Sequence, residues 1–237
     1  MTDYSTRAFV EDPDVASKLL HEALMVGYAC LRWDVEPRLG QLEALFEPDA
    51  ARISHVMEAQ QEGRGTYAHL SDRAITPLKP ILEQLYEASQ RHLATDEAGP
   101  WPPTLDEFWD RCRAAGQTES AVLALQHGAG GFNSLHDDAY GDVTYPVQFV
   151  LLLSRPGIDF VGGSFLLELD QEQRPHELVV PPFGYGDLLL IRSRTAFIDG
   201  RRCRVRHGVS RIEKGHRRTI GMVFHLARRP GDHEPSR

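Results

Sequence analysis

The second half of the chain is divided into short apolar runs, and this pattern limits the fold more than any other feature. From about Thr118 onward these runs are separated by Gly, Pro and Asp, and they lie at 121–125, 146–153, 164–169, 177–180, 187–192, 202–205 and 219–226. Short β-rich runs at such spacing favour a sandwich or barrel over βαβ units. The run 149–153 is apolar at every position, so we expect a central strand that is covered on both faces.

The first half of the chain has the apolar periodicity of helices. A helix is predicted over 14–30, with an exit near Gly27 and a short strand at 28–31. Further helices are predicted over 37–46, 77–93 and 105–115, while 49–60 is predicted to be helical or irregular. Thr104 is placed to cap the last of these helices, with Glu107 three residues later as in a capping box.

The chain length suits one generous domain, because 237 residues with 41% apolar side chains can bury a sizeable core. We therefore predict a single α+β domain over 1–237, in which helices buttress a β-rich core. Its parts are a mainly helical N-terminal support at 1–117, the core at 118–229 and a tail at 230–237.

The formal net charge of −8 disfavours a protein whose main task is to coat nucleic acid or an anionic membrane. The charge is uneven, however, because the chain after Arg192 is basic; its arginines include Arg201, Arg202, Arg204, Arg206, Arg211, Arg217 and Arg218. Two interpretations are open. The arginines either form ion pairs on a solvated face, or they create a positive pocket for an anionic ligand.

Three cysteines, Cys30, Cys112 and Cys203, are far apart and form no CxxC pair. This spacing argues against a disulfide framework or a cysteine zinc site and fits a reducing compartment. The N-terminus has no signal-peptide pattern, and no apolar stretch is long enough to span a membrane. We expect a cytoplasmic protein without a membrane partner; the sequence gives no indication of its oligomeric state.

A candidate metal site begins with His136 and Asp138, which follow a glycine-rich approach at 128–131. Residues two apart on an extended segment point to the same side, so both side chains can bind one ion. His207 is the leading candidate for a third ligand, on what would be a different strand. Two histidines and one carboxylate that leave three positions open are typical of non-haem Fe(II) oxygenases.

Zinc with a bound water is the competing interpretation of these ligands. Zinc hydrolases usually take their ligands from a helical HExxH motif, which this sequence lacks. Arg217 decides for iron, because its guanidinium offers a bidentate fork for a carboxylate ten residues after His207. It can hold the far carboxylate of 2-oxoglutarate, and Thr219, on the same strand face, can add a hydroxyl contact. Arg218 should face away.

These residues resemble the Fe(II)/2-oxoglutarate dioxygenase superfamily, in its prolyl-hydroxylase-like branch. A closer similarity is to a bacterial family named as oxygenases acting on damaged nucleic acid. The matching motifs are GRGTY at 63–67, AGQT at 115–118, GAGGFNSLHDDAYGD at 128–142, LSRPGIDFVGG at 153–163 and RHGVSRIEKGHRRTIG at 206–221. The sequence departs from that family's pattern at Asp137, where Gln is usual, and at 126–127, where an Arg-Tyr-like pair is usual.

The resemblance implies a double-stranded β-helix (jelly-roll, cupin-like) catalytic core at 118–229. It also implies Fe(II), with 2-oxoglutarate and O₂ as co-substrates and succinate and CO₂ as products. Candidates for shaping the substrate pocket are Asp137, Tyr140, Tyr145, Gln148 and His225, each of which could instead serve packing or hydrogen bonding in the core.

Three functional hypotheses follow. The first is a dioxygenase that hydroxylates an unactivated C–H bond of a small molecule. The second is oxidative dealkylation of damaged nucleic acid, suggested by the family name and the basic C-terminal part. The third is a non-enzymatic barrel that binds a metal or ligand, which a complete triad and a carboxylate clamp disfavour.

Overall fold

The computed structural model describes residues 13–32, 39–57, 63–93, 100–138, 141–193, 195–198 and 201–228. The helices are α1 (Pro13–Val26), α2 (Leu39–Glu43), α3 (Asp72–Ile75), α4 (Lys79–Leu93) and α5 (Leu105–Ala114), with a 3-10 turn at Ala44–Phe46. The first strands are β1 (Tyr28–Arg32), β2 (Ala51–Val56), β3 (Gly63–Arg64), β4 (Thr66–Leu70), β5 (Gln117–Glu119), β6 (Val122–His127), β7 (Phe132–His136) and β8 (Val147–Leu152). The later strands are β9 (Phe160–Gly162), β10 (Phe165–Gln171), β11 (Glu177–Val179), β12 (Asp187–Arg192), β13 (Ala196–Ile198), β14 (Arg201–Val209), β15 (Ile212–Gly215), β16 (Arg217–Val223) and β17 (Ala227–Arg228).

A seven-stranded antiparallel sheet, with the order β1-β12-β8-β16-β6-β4-β2, forms the floor of the molecule. All six residues of β8 are buried. Phe149 and Leu151 face one apolar cluster, whereas Val150 and Leu152 face another. This strand is therefore central and covered on both faces, which confirms the prediction for the run 149–153.

Helices cover the outer face of this sheet, as predicted for a buttressed core. The shared apolar cluster joins helix residues such as Leu82 and Phe108 to sheet residues such as Phe149 and Ile220. The Thr104 side chain accepts a hydrogen bond from the Glu107 backbone N–H, which confirms the predicted cap of α5. No helix among the described residues is long and apolar enough to span a membrane.

A second sheet, with the order β11-β10-β14-β7-β3, faces the inner side of the first, and β13 also pairs with β14. Part of the space between the two sheets is filled by apolar side chains such as Leu167, Leu189 and Val205. The part that these side chains leave open forms the pocket described below. The architecture is thus mixed α and β with antiparallel sheets.

The N-terminal half contains more strand than the sequence suggested. The helix predicted over 14–30 ends at Val26, because Gly27 adopts a φ of +111° and β1 begins at Tyr28. The segment 49–60 was expected to be helical or irregular, but β2 occupies Ala51–Val56 and pairs along its length with β4. Pairing at a sheet edge outweighs weak local preference here.

Replacing Phe108 with alanine should lower the free energy of unfolding by about 3–5 kcal/mol, since Phe108 is fully buried and such cavities cost this much. Its ring lies 5.5 Å from Tyr86, 5.2 Å from Tyr145 and 5.7 Å from Trp101. Leu178→Ala, at a 62% exposed position, is the matched control and should change stability by less than about 0.5 kcal/mol.

Urea unfolding followed by circular dichroism and by tryptophan fluorescence measures this effect. A single coincident transition is expected if the chain is one domain. Two separated transitions, with Phe108→Ala shifting only one of them, would contradict the single-domain prediction.

Candidate metal centre and adjoining pocket

Two strands of the second sheet place the predicted histidines side by side. β7 and β14 run antiparallel, and their register sets His136 directly opposite His207. The imidazole ring centroids are 4.3 Å apart. Residues separated by 71 positions in sequence are therefore neighbours, as the metal-site prediction required.

Asp138 completes the cluster just beyond the end of β7. Its Oδ1 lies 3.4 Å from His136 Nε2, and its Oδ2 lies 3.3 Å from His207 Nε2. One ligand atom from each residue falls within 4.8 Å of the others. Adjacent donors around a six-coordinate ion with bonds of about 2.1 Å lie about 3 Å apart, so this donor set fits a metal held on one face.

The surroundings prepare these three groups as ligands. His136 Nδ1 lies 2.7 Å from the Ser134 carbonyl oxygen, so it donates there and leaves Nε2 to accept a metal. Burial, and then His136, lowers the pKa of His207. Burial opposes ionisation of Asp138, but His207 and His136 hold the pKa of this carboxyl well below its usual range. Neutral imidazoles and an ionised carboxylate are the forms that bind a divalent cation.

Asp137, between the two ligands, points to the other face. Its Oδ2 accepts hydrogen bonds of 3.0 and 2.7 Å from Nε and an NH2 nitrogen of Arg204. The alternation of an extended segment explains this direction, because neighbours on such a segment face opposite sides. Asp137 is not among the residues that line the pocket described below.

Arg217 lies at the start of β16, on the opposite sheet, and its side chain is 1% exposed. It donates to Thr219 Oγ1 at 3.4 Å, while its Nε has no hydrogen-bond partner among the described residues. Within the described chain no carboxylate lies at ion-pair distance from it. Burial lowers the pKa of Arg217 to about 10, so the guanidinium remains charged at neutral pH. A buried cation of this kind calls for an anionic ligand.

His127 is a site residue that sequence reasoning did not select. It pairs with Arg217 across β6 and β16, and it is 1% exposed. Burial, and then Arg217, lowers its pKa to about 4, so the ring is neutral. Neither ring nitrogen has a hydrogen-bond partner in the described part of the chain. In the sequence, the one feature that draws attention to His127 is that residues 126–127 depart from the pattern of the family that the motifs resemble.

One pocket between the sheets connects the metal cluster with these residues. The empty space within it is about 670 Å³, a figure that includes open solvent at its mouth. The lining residues with polar side-chain groups are Tyr67, His127, Asn133, His136, Asp138, Gln148, His207, Arg217 and Thr219. Gln148 thus lies in the pocket as predicted, on the floor strand β8.

Two other predicted pocket residues belong to the core. Tyr145 is fully buried among Tyr86, Trp101, Phe108 and Phe224. His225 accepts a 3.2 Å hydrogen bond on Nδ1 from the Tyr145 backbone N–H. His225 is an even number of residues after Arg217, so a continuous strand would place both side chains on one face, but β16 ends at Val223. Tyr140 lies outside the described residues.

Comparisons with known proteins identify the family of the chain. Residues 65–227 match a family described as an oxygenase catalysing oxidative methylation of damaged DNA. The chain belongs to this oxygenase family. Uncharacterised proteins from two strains of Mycobacterium tuberculosis are each 33% identical to it over 204 residues, which cover 76% of this chain and 84% of theirs.

Solved structures show the same fold at low identity. A Pseudomonas putida prolyl-4-hydroxylase superposes with a TM-score of 0.56 and 16% identity, over 90% of this chain and 99% of that one. A Burkholderia pseudomallei oxidoreductase of the 2OG-Fe(II) oxygenase family gives a TM-score of 0.55 and 15% identity, over 90% and 92%. The family match and these two structures confirm the resemblance that the sequence motifs indicated.

Substituting the two adjacent aspartates should separate their roles. Asp138→Ala should weaken Mn(II) binding beyond the ~10–100-fold that loss of an outer partner costs, because it removes one of three donors. Asp137→Ala should change this affinity only a few-fold, since its carboxylate binds Arg204. Calorimetric titration with Mn(II) measures both; equal losses in the two variants would contradict the assigned ligand set.

Proposed function

We propose that this oxygenase is an Fe(II)- and 2-oxoglutarate-dependent dioxygenase that hydroxylates an unactivated C–H bond of a small molecule. One observation carries the proposal above all others. The buried Arg217, without a carboxylate partner among the described residues, lines the same pocket as the cluster of His136, Asp138 and His207. A metal centre and a buried cation in one pocket are what a metal-chelating dicarboxylate requires.

His136, Asp138 and His207 would hold the iron. Their donor spacing fits a facial arrangement, which leaves positions for a co-substrate and O₂. The Ser134 carbonyl holds the His136 ring with Nε2 toward the ion. On the other side, the Phe165 ring stacks on His207 at 5.6 Å and 11° and limits the rotation of that imidazole.

Arg217 would bind the far carboxylate of 2-oxoglutarate, and Thr219 would add a hydroxyl contact beside it. His127 lies directly across from Arg217 and is neutral, so it can donate a hydrogen bond to the same carboxylate without adding charge. The burial of these groups excludes water and strengthens the contact between guanidinium and carboxylate.

The chemistry that bound iron and 2-oxoglutarate would supply is oxidation of a substrate C–H bond by O₂, coupled to conversion of 2-oxoglutarate to succinate and CO₂. The residues of this chain bind and orient the reactants and keep water out. We interpret the two facing sheets as a double-stranded β-helix (jelly-roll) within a single domain. Three cysteines without a disulfide among the described residues support a cytoplasmic location.

Damaged nucleic acid is the second candidate substrate, because the family description names damaged DNA. The basic strand β14 gives it little support. Arg204 binds Asp137, while Arg202 and Arg206 bind the carboxylates of Asp170 and Glu168 on β10. These arginines are neutralised within the protein, which favours the interpretation of a solvated ion-paired face over a free cationic surface.

Loss of the Arg217 guanidinium should selectively weaken the binding of 2-oxoglutarate. Wild-type protein with Fe(II) and 2-oxoglutarate under anaerobic conditions should show a weak visible charge-transfer band, and titrating the band gives the affinity. Arg217→Leu should raise the apparent Kd about 30-fold or more, since truncating one partner of a buried charge pair costs ~2–5 kcal/mol.

Arg218→Leu is the matched control, because Arg218 is exposed and its guanidinium lies over the Phe46 ring, 5.4 Å from the centroid. Its affinity for 2-oxoglutarate should remain near that of the wild type. Absence of the band in wild-type protein, or an unchanged band in Asp138→Ala, would refute the proposed function.

Binding of nucleic acid should be negligible at low salt if the arginines of β14 are neutralised internally. Fluorescence anisotropy with single- and double-stranded oligonucleotides at about 50 and 200 mM salt measures this, since phosphate-dependent binding falls by ~10³–10⁵ over that range. Glu168→Gln, which removes the partner of Arg206, is the sensitised control. Tight, steeply salt-dependent binding by the wild type would favour the nucleic-acid candidate instead.

A further inference from the structure

The pocket extends well beyond the part that Arg217 controls. Along β16, Arg217, Thr219, Gly221 and Val223 all line it. Val223 is six residues from Arg217 (223 − 217), a span of about 20 Å at ~3.3 Å per residue. Gln148 pairs with Val223 across β8 and β16 and therefore lies at the far end. The Arg217 guanidinium lies beside Thr219, 3.4 Å from its Oγ1, so four residues of strand, about 13 Å, separate it from the level of Gln148.

The walls at this far end are apolar. Leu123 and Val150 flank Gly221 in the sheet register, and Val223 follows. Gly221 leaves room between them, since a Cβ there would meet only Leu125 Cδ1 at 3.4 Å and Leu123 Cβ at 3.9 Å. The backbone at Gly221 does not have a positive φ. Space, rather than backbone freedom, is what this glycine provides.

At this end, beside Leu123, Val150, Gly221 and Val223, Gln148 is the one polar residue among the described lining residues. Tyr67 also lines the pocket, but at the level of Leu125 and Thr219. The Gln148 side chain is 1% exposed, and its Nε2 has no hydrogen-bond partner within the described chain. Buried amides in folded proteins are normally hydrogen-bonded, so an amide directed into a ligand pocket indicates a polar group on the ligand. A carboxamide carries no charge, and burying a charged group against it would be costly.

We propose that Gln148 orients the substrate, and that the substrate places an uncharged hydrogen-bond acceptor, such as the carbonyl oxygen of a carboxamide, against its Nε2 on an apolar skeleton. Gly221 provides the space for that skeleton. The inference rests on the proposed function in one respect, namely that 2-oxoglutarate fills the Arg217 end. The two ends of the pocket thus differ in charge preference: anionic at Arg217 and neutral at Gln148.

The test uses probes of one skeleton and three charges: hexanamide, hexanoate and hexylammonium. Full-length protein is loaded with Mn(II) and 2-oxoglutarate without O₂, and binding is followed by ligand-observed NMR. Hexanamide should bind, and the two charged probes should bind at least about tenfold more weakly because each would bury an unpaired charge.

Gln148→Leu should weaken the binding of hexanamide about tenfold, as expected for the loss of a buried hydrogen bond. The affinity for 2-oxoglutarate should not change in this variant. Gln148→Glu, of the same shape, should reverse the preference toward hexylammonium, which a purely structural role of Gln148 does not predict. Gly221→Val should weaken the binding of all three probes, because the added side chain fills the space that the apolar skeleton would occupy. A Leu178→Ala variant, on the surface, should bind like the wild type.

Several results would overturn the inference: failure of hexanamide to bind, equal or stronger binding of hexanoate, or no change of preference in Gln148→Glu. These outcomes are distinct from failure of the proposed function. If the anaerobic Fe(II)–2-oxoglutarate band depends on Arg217 but the probes show no preference for a neutral group, only the role of Gln148 is refuted. If hexanamide binding depends on Gln148 but no band forms, the co-substrate assignment fails instead.

Discussion

The antiparallel pairing of β7 with β14 is the constraint on which the site depends, because it alone sets His136 opposite His207. A slip of one residue would turn His207 to the outer face and leave Asp138 with a single partner. The outer face of β14 opposes such a slip. Arg206 lies opposite Glu168 in the β10–β14 register and binds it, and Arg204 binds Asp137 beside the ligands. Each of these exposed or half-exposed pairs contributes little to stability. Together these ion pairs favour a single register of β14, the strand whose inner face carries His207.

The inner face concentrates polar groups that the protein does not itself satisfy. Within the part of the chain that the structure describes, Arg217 is buried without a carboxylate partner, and both ring nitrogens of His127 and Nε2 of Gln148 have no hydrogen-bond partner. Desolvation of such groups is unfavourable, so the site costs stability that bound ligands would restore. This pattern is the expected one for a site organised before its ligands arrive, because orienting these groups in advance reduces the cost of binding.

Sequence patterns predicted the features that depend on local periodicity or on fixed short spacing. The central strand at 149–153, the cap at Thr104 and the shared side of His136 and Asp138 all follow from alternation or capping rules. The failures arise where tertiary context decides. β2 becomes a strand through pairing with β4, and His225 leaves the pocket face because β16 stops two residues earlier. His127 could not be selected, since its importance comes from facing Arg217 across β6 and β16, which no local pattern encodes.

Side-chain alternation along the strands also indicates which residue can influence substrate specificity: Gln148 rather than Asp137. Asp137 lies between His136 and Asp138, yet its carboxylate accepts hydrogen bonds from Arg204 on the outer face. A substitution at Asp137 would therefore alter the ion pair with Arg204 that supports β14, and not the surface that a substrate contacts. Gln148 lies on the inner face of the floor strand β8, in apolar surroundings, at the level of Val223 and about 13 Å along β16 from Thr219, which the Arg217 guanidinium contacts. Charge at one end and a neutral amide at the other allow two ligands to enter one pocket without competing for the same place. Discrimination between substrates should therefore depend on the residues around Gln148 and Gly221. The Arg217 end would bind the same co-substrate, 2-oxoglutarate, whichever substrate is oxidised.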